Sequence, residues 1–184
     1  MADVIKLKVT DSDLVVKSKV DTVEEVIKEI EVPIPAEDVD RVLDRSATEI
    51  STGASVIGSY ALAFSDKLTS IHGMSVERLE NCALYMCGNL TTLDLPNLKN
   101  IETNSLYGCP LTTEITFPEL IKLDSSSFNR SVVEIINVPK LTTLLGQNFT
   151  ASKVKELKAP QLSDLPNLFM YRATQLQRAI FPNC

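Results

Sequence analysis

One spacing sets the form of this chain: Pro96, Pro118, Pro139, Pro160 and Pro182 stand 22, 21, 21 and 22 residues apart, and Met74 takes the same place one period earlier. The apolar residues keep the same period. Six residues ahead of each landmark stand Leu68, Leu90, Val133, Val154 and Leu176, and in one unit Thr112, with Leu111 beside it. Three ahead stand Ile71, Leu93, Ile115, Ile136, Leu157 and Ala179. Two after come Val76, Leu98, Leu120, Leu141, Leu162 and Cys184; five after come Leu79, Ile101, Leu123, Leu144 and Leu165. Ten after come Leu84, Leu106, Phe128, Phe149 and Met170, and Leu62 extends that column backwards. A unit of about 22 residues cannot bury its own apolar side chains, but stacked units line them up as continuous interior columns. The chain is therefore expected to wind as a repeat solenoid.

Within each coil a short stretch alternates, so that Leu93 and Leu95 point inwards while Thr92 and Asp94 point outwards. Ile115-Thr116-Phe117 and Ile136-Asn137-Val138 follow the same pattern. Stacked coils then form a parallel sheet with about 4.8 Å between strands. Proline after the strand has no N–H to donate, so it ends the ladder and turns the chain. The piece that follows, as in Asn97-Leu98-Lys99-Asn100-Ile101, fits a second short strand or a tight turn equally well.

Leucine at fixed offsets on a period of about 20–29 residues marks leucine-rich repeats. Ala83-Leu84-Tyr85-Met86-Cys87-Gly88-Asn89-Leu90-Thr91-Thr92-Leu93 resembles the BspA-like form, which runs small residue, Phe, two residues, Cys, two residues, Leu, two residues, apolar. Ser105-Leu106-Tyr107-Gly108-Cys109-Pro110-Leu111 is similar, and Ile57-Gly58 carries that family's opening pair. The resemblance runs from about Ile57 to the C-terminus. The chain departs from the pattern by placing Leu or Met at several Phe positions and by having no Cys in its column after Cys109. The resemblance implies an α/β-type or mainly β solenoid of about six coils. It also implies service in surface adhesion or protein binding in bacteria, protists or phages, and it brings no catalytic motif or cofactor.

Ahead of the repeats the pattern changes. Residues 1–46 hold 12 acidic and 7 basic residues, while residues 47–184 hold 12 and 11, so most of the net charge of −6 sits before Ser46. This divides the chain into a segment 1–46 and a solenoid 47–184. Val4 to Val9 and Leu14 to Val20 alternate around Asp11-Ser12-Asp13, which predicts a β-hairpin. Val23, Val26, Ile27 and Ile30 share one face of a helix capped by Asp21 or Thr22. Pro35 opens a second helix with Val39, Val42 and Leu43 on one side. Such a small α+β piece is expected to be a cap on the first coil or an anchor onto a larger assembly.

The net negative charge argues against non-specific nucleic-acid binding. No apolar run is long enough to cross a membrane. The N-terminus has no apolar core of a secretory signal, so a virion protein made in the cytoplasm is expected, with a cell-surface protein as the alternative. The last residues, Ile180-Phe181-Pro182-Asn183-Cys184, stop mid-coil, and the expectation is that a second copy or another assembly partner covers that edge.

A non-enzymatic protein is expected. The single histidine, His72, lies in an outward strand column, and no third group orients it with Cys82. No histidine or cysteine cluster has metal-binding spacing. Cys87 and Cys109, one period apart, are near enough for a disulfide, but parallel side chains favour free thiols in the core. Two candidate binding surfaces remain, for a protein partner in an assembly or a host-surface receptor. One is the strand face, with Thr92, Glu114, Glu156 and Arg178 beside His72, Asp94, Thr116, Asn137 and Lys158. The other is the column of Tyr85, Tyr107 and Tyr171, read either as a stacking surface or as a rim over the core.

Overall fold

The computed structural model describes residues 3–9, 12–18, 29–30 and 47–182 except 168 and 170, with side chains from 47 onwards. Most of the two predicted N-terminal helices, and Met170 and Cys184, lie outside these residues. Six coils follow one another, each opening on a strand of the first face. These strands are β4 (Glu49–Thr52), β6 (Ser70–His72), β8 (Thr92–Asp94), β10 (Glu114–Thr116), β12 (Ile135–Asn137) and β14 (Glu156–Lys158), and β15 (Arg178–Ile180) begins a seventh turn. The strands pair in parallel with like on like: Ile71 lies opposite Leu93, and Ile136 opposite both Ile115 and Leu157. The proline column lies two residues past each strand. The residue between donates its N–H onward, as from Phe117 to Asn137 O at 3.0 Å and from Val138 to Lys158 O at 2.9 Å.

The stretch left open between strand and turn is a strand. β5 (Val56–Ile57), β7 (Arg78–Leu79), β9 (Asn100–Ile101), β11 (Lys122–Leu123) and β13 (Thr143–Leu144) form a second parallel sheet. No helix occurs among the described residues, so the solenoid is mainly β. Leu68, Leu90, Ile71, Val76, Leu98, Leu79, Ile101, Leu84, Leu106, Phe128 and Phe149 are all fully buried, so the periodic columns are the core. Leu111, one place early, is buried, and Thr112 beside it is exposed.

The third side of each coil is a run of turns with its own ladder. Alternate N–H groups reach the next coil, as from Leu62 to Ala83 O (2.9 Å), Phe64 to Tyr85 O (2.8 Å) and Met86 to Tyr107 O (2.8 Å). Those between close the local turn, as from Ala63 to Tyr60 O at 3.2 Å. To aim alternate groups in opposite directions, the backbone enters the left-handed region at Tyr60, Phe64, Cys82, Met86, Asn104, Ser126, Arg130, Ala151 and Arg172. Gly108 holds one of these positions at φ +72, where a Cβ would come within 2.6 Å of the Met86 sulfur.

Polar side chains bind coil to coil inside these turns. The Ser127 hydroxyl donates to Glu102 O and Asp124 O, both at 3.0 Å. Cys87 and Cys109 are buried free thiols; each donates to a carbonyl of the preceding coil, Leu62 O and Leu84 O, at 3.0 Å. Their column does not end at Cys109. Ser65 precedes it, and Ser131 and Ser152 continue it, all buried. The Cys87 thiol beside Cys109, and then burial, push the Cys109 pKa well up.

Four features refine the sequence reading. First, the strand face is interrupted between β8 and β10. In coil 3 Thr91 and Thr92 both donate to Thr69 O, but in coil 4 only Thr112 reaches Thr91 O, because an extra residue lies between Leu111 and Ile115. The extra residue is a bulge, and a bulge breaks the ladder. Second, Leu165 of the core column is 39 % exposed. The second sheet is held by N–H groups just after each strand, as from Leu145 to Leu123 O at 2.9 Å. Pro166 stands at that position in coil 6 and has nothing to donate. Third, Leu176 and Phe181 of the last turn are partly buried against the core, and Phe181 meets Phe169 edge-on at 6.1 Å. Fourth, Glu29–Ile30, expected to end a helix, is a strand, β3, parallel to β1 (Asp3–Val9). β1 pairs antiparallel with β2 (Ser12–Ser18), and β2 continues antiparallel onto β4, with Val16 opposite Ile50.

Candidate functional site

The strand face presents the outward residues of seven strands, split by the bulge. On the first segment His72 lies between two carboxylates: its Nε2 is 3.6 Å from Glu49 Oε1 and its Nδ1 3.4 Å from Asp94 Oδ2. Thr92 and Asp94 are exposed beside it. On the second segment lie Glu114, Thr116, Asn137, Glu156, Lys158 and Arg178, with Arg178 3.6 Å from Glu156. Elsewhere the repeat pairs opposite charges in neighbouring coils, as in Lys99–Glu77, Lys140–Glu119 and Lys155–Glu134, each at 2.7 Å. These exposed pairs set register and solubility more than stability, at about 0–1 kcal/mol each. Among the described residues no group of three or more histidine, cysteine or acidic side chains could hold a metal ion, and no helix is long and apolar enough to cross a membrane.

The turn face is different in kind. Phe64 meets Tyr85 edge-on, with ring centres 5.4 Å apart. Tyr85 stacks on Tyr107 at 4.9 Å and 18°, and the Arg130 guanidinium lies 5.7 Å from the centre of the Tyr107 ring. One unbroken row therefore runs across four coils: ring, ring, ring, cation. Tyr60, 54 % exposed, and Met86, 37 % exposed, flank it. A hydrogen bond with the Cys82 thiol raises the Tyr60 phenol above its ordinary pKa. Cys82 thus works on the turn face, and the structure does not bring it to His72. Tyr171 stays apart from the row, with its own Arg172 5.2 Å from its ring centre.

The model of the BspA type leucine rich repeat region matches residues 44–155 in six copies. The chain belongs to this family. No curated protein and no solved structure matches it. The matched BspA-type repeats run from just before β4 to just before β14, so they hold the aromatic row and the strand face as far as β12, while Glu156, Lys158 and Arg178 lie past them.

Tyr85 and Tyr107 were legible as a column because they share one offset. Phe64, Tyr60, Met86 and Arg130 were not, since they occupy other offsets. They join the row because the left-handed backbone at Phe64, Met86 and Arg130 carries those side chains over the neighbouring coil.

Proposed function

We propose that this BspA-type repeat protein is a non-enzymatic binding module of a virion or a cell surface, recognising a protein partner across its strand face. The observation that carries this reading is the outward column set on β6 and β8 and on β10, β12, β14 and β15, where acidic, neutral polar and basic side chains follow at about 4.8 Å intervals within each segment. That spacing matches a protein surface, with many weak polar contacts distributed over length. His72 between Glu49 and Asp94 reads here as a surface polar cluster. The test is to immobilise the full chain beside an Asp94→Lys, Glu114→Lys, Lys158→Glu variant and expose both to proteins of purified particles and of washed cell envelopes. A partner held by the wild type and lost by the variant supports the reading. Equal capture by both would remove the strand face from consideration.

A further inference from the structure

We infer that the row Phe64–Tyr85–Tyr107–Arg130 on the turn face is a second binding surface, for a short extended protein segment bearing an aromatic or large aliphatic side chain and one carboxylate. It adds to the protein-binding reading above and lies on a different face of the coils.

The composition is the first reason. Over residues 59–64, 81–86 and 103–108 there is no Asp, Glu, Lys or Arg, in a chain that is 23 % charged overall. The residues exposed there are Tyr60, Phe64 and Met86 and the uncharged Asn81, with Tyr85 and Tyr107 half-buried between them. Aromatic residues, methionine and arginine are the types concentrated at the centres of protein interfaces, where charge is otherwise depleted. An exposed apolar row on a folded surface marks a contact site.

The second reason is charge. Arg130 is the one charged residue on the turns of coils 1–4 over these positions, counting 125–130 as the fourth. It is exposed and forms no ion pair among the described residues; its contact is the Tyr107 ring. Other basic groups on neighbouring columns, such as Lys99, Lys122 and Lys140, are each matched to an acid. A guanidinium held in place over a ring is a ready two-pronged donor to a carboxylate.

The third reason decides the class of partner. A sugar stacks on the face of a ring, but Tyr85 turns one face to Tyr107, and Tyr107 has Tyr85 and Arg130 on either side. The two stacked tyrosines offer edges, which carry the positive part of the ring quadrupole and favour the face of another aromatic ring or an oxygen acceptor, and Phe64 adds an unstacked ring at one end. Three steps of about 4.8 Å give a row about 14 Å long, the reach of four or five extended residues. This is too narrow for a broad globular contact and fits a linear segment.

The test uses the full chain as bait for a phage library of random heptapeptides, with affinities of the selected peptides measured in solution. Enriched peptides are expected to combine an aromatic or large aliphatic residue with Asp or Glu. Their binding should fall at least tenfold with Arg130→Glu or with Tyr85→Ser and Tyr107→Ser together. It should return on Arg130→Glu when the peptide acid is changed to Lys. Asp94→Lys should leave it unchanged. Circular dichroism on each variant, and the milder Arg130→Ala, separates loss of binding from loss of fold. The inference is overturned if no peptide is enriched over bare support, or if binding ignores the row variants. It also falls if Asp94→Lys alone abolishes binding, which would leave only the strand face, or if a glycan array shows sugars bound through the same rings.

Discussion

Coils 1–3 and coils 4–5 share one turn backbone and place their aromatic rings on opposite sides of it. In the first three the interior position holds Leu62, Leu84 and Leu106, and the rings of Phe64, Tyr85 and Tyr107 lie outside. In the next two the interior position holds Phe128 and Phe149, fully buried and stacked at 6.4 Å, and the outside is Arg130 and small residues. The neighbouring core column changes in step from coil 2 onwards: Cys87 and Cys109 accompany leucine, while the smaller Ser131 and Ser152 accompany phenylalanine; coil 1 departs from this, with Ser65 beside Leu62. In coils 2–5 interior volume is thereby kept near constant, as a close-packed core requires. The difference teaches that the fold needs one large apolar group per turn inside and none outside. Rings on the outside of coils 1–3 are therefore free to serve recognition.

The largest effect should come from emptying the inner ring position. Phe128→Ala should destabilise the chain by about 3–5 kcal/mol in denaturant unfolding, because a truncated core phenylalanine leaves a cavity. A value near zero would break the comparison at its inner side.

A smaller effect is expected at the cysteine step of the same turn. The Cys109 pKa is raised in the fold, so the folded chain keeps its thiol proton where the unfolded chain loses it. That contribution is complete below the unfolded value of about 8.5 and is lost as pH rises towards the folded one. Stability should therefore fall between pH 8 and 10 more steeply in the wild type than in Cys109→Ala, and parallel slopes would remove the effect. The thiol should also stay unreactive towards a disulfide reagent until the chain unfolds.

Next come the left-handed positions. Ala151, at φ 56, stands where coil 3 has Gly108. Ala151→Gly should raise stability by about 0.5–1 kcal/mol, as relief of the strained backbone outweighs the added freedom of the unfolded chain. A loss of stability on thermal melting would contradict the assigned turn. Smallest is the end of the second sheet. Pro166→Leu restores an N–H facing Leu144 O and should add about 0.5–1 kcal/mol, with new amide protection at that position in hydrogen exchange. Absence of that protection would mean that something besides Pro166 stops the sheet.

Most of the fold was legible because burial repeats with the chain: once Leu79, Ile101, Leu123 and Leu144 share an offset, stacking follows. The breaks were written in the sequence as well, at Leu111 standing one place early and at Pro166 standing off the proline column. Their consequences depend on which N–H bonds to which coil, and a column of side chains carries no such information. The candidate surface was half legible for the same reason. Tyr85 and Tyr107 announce themselves by offset, but Phe64 and Arg130 enter the row through a left-handed backbone that no residue type at those positions predicts. Arg130 in particular is a poor candidate for that conformation by composition, and only the ladder from its N–H to Thr150 O, at 3.0 Å, explains it.

The central claim is that the outer rings serve recognition and the inner rings serve the core. It is tested most directly by the unfolding free energy of the double variant Tyr85→Ser, Tyr107→Ser. Loss of one stacked pair, about 0.5–1.5 kcal/mol, together with about 1 kcal/mol of apolar burial at each half-buried ring, predicts a decrease of about 2–4 kcal/mol with the fold intact. A decrease of about 6–10 kcal/mol, the range for two buried rings, would show that Tyr85 and Tyr107 are part of the core and that the turn face is no free surface.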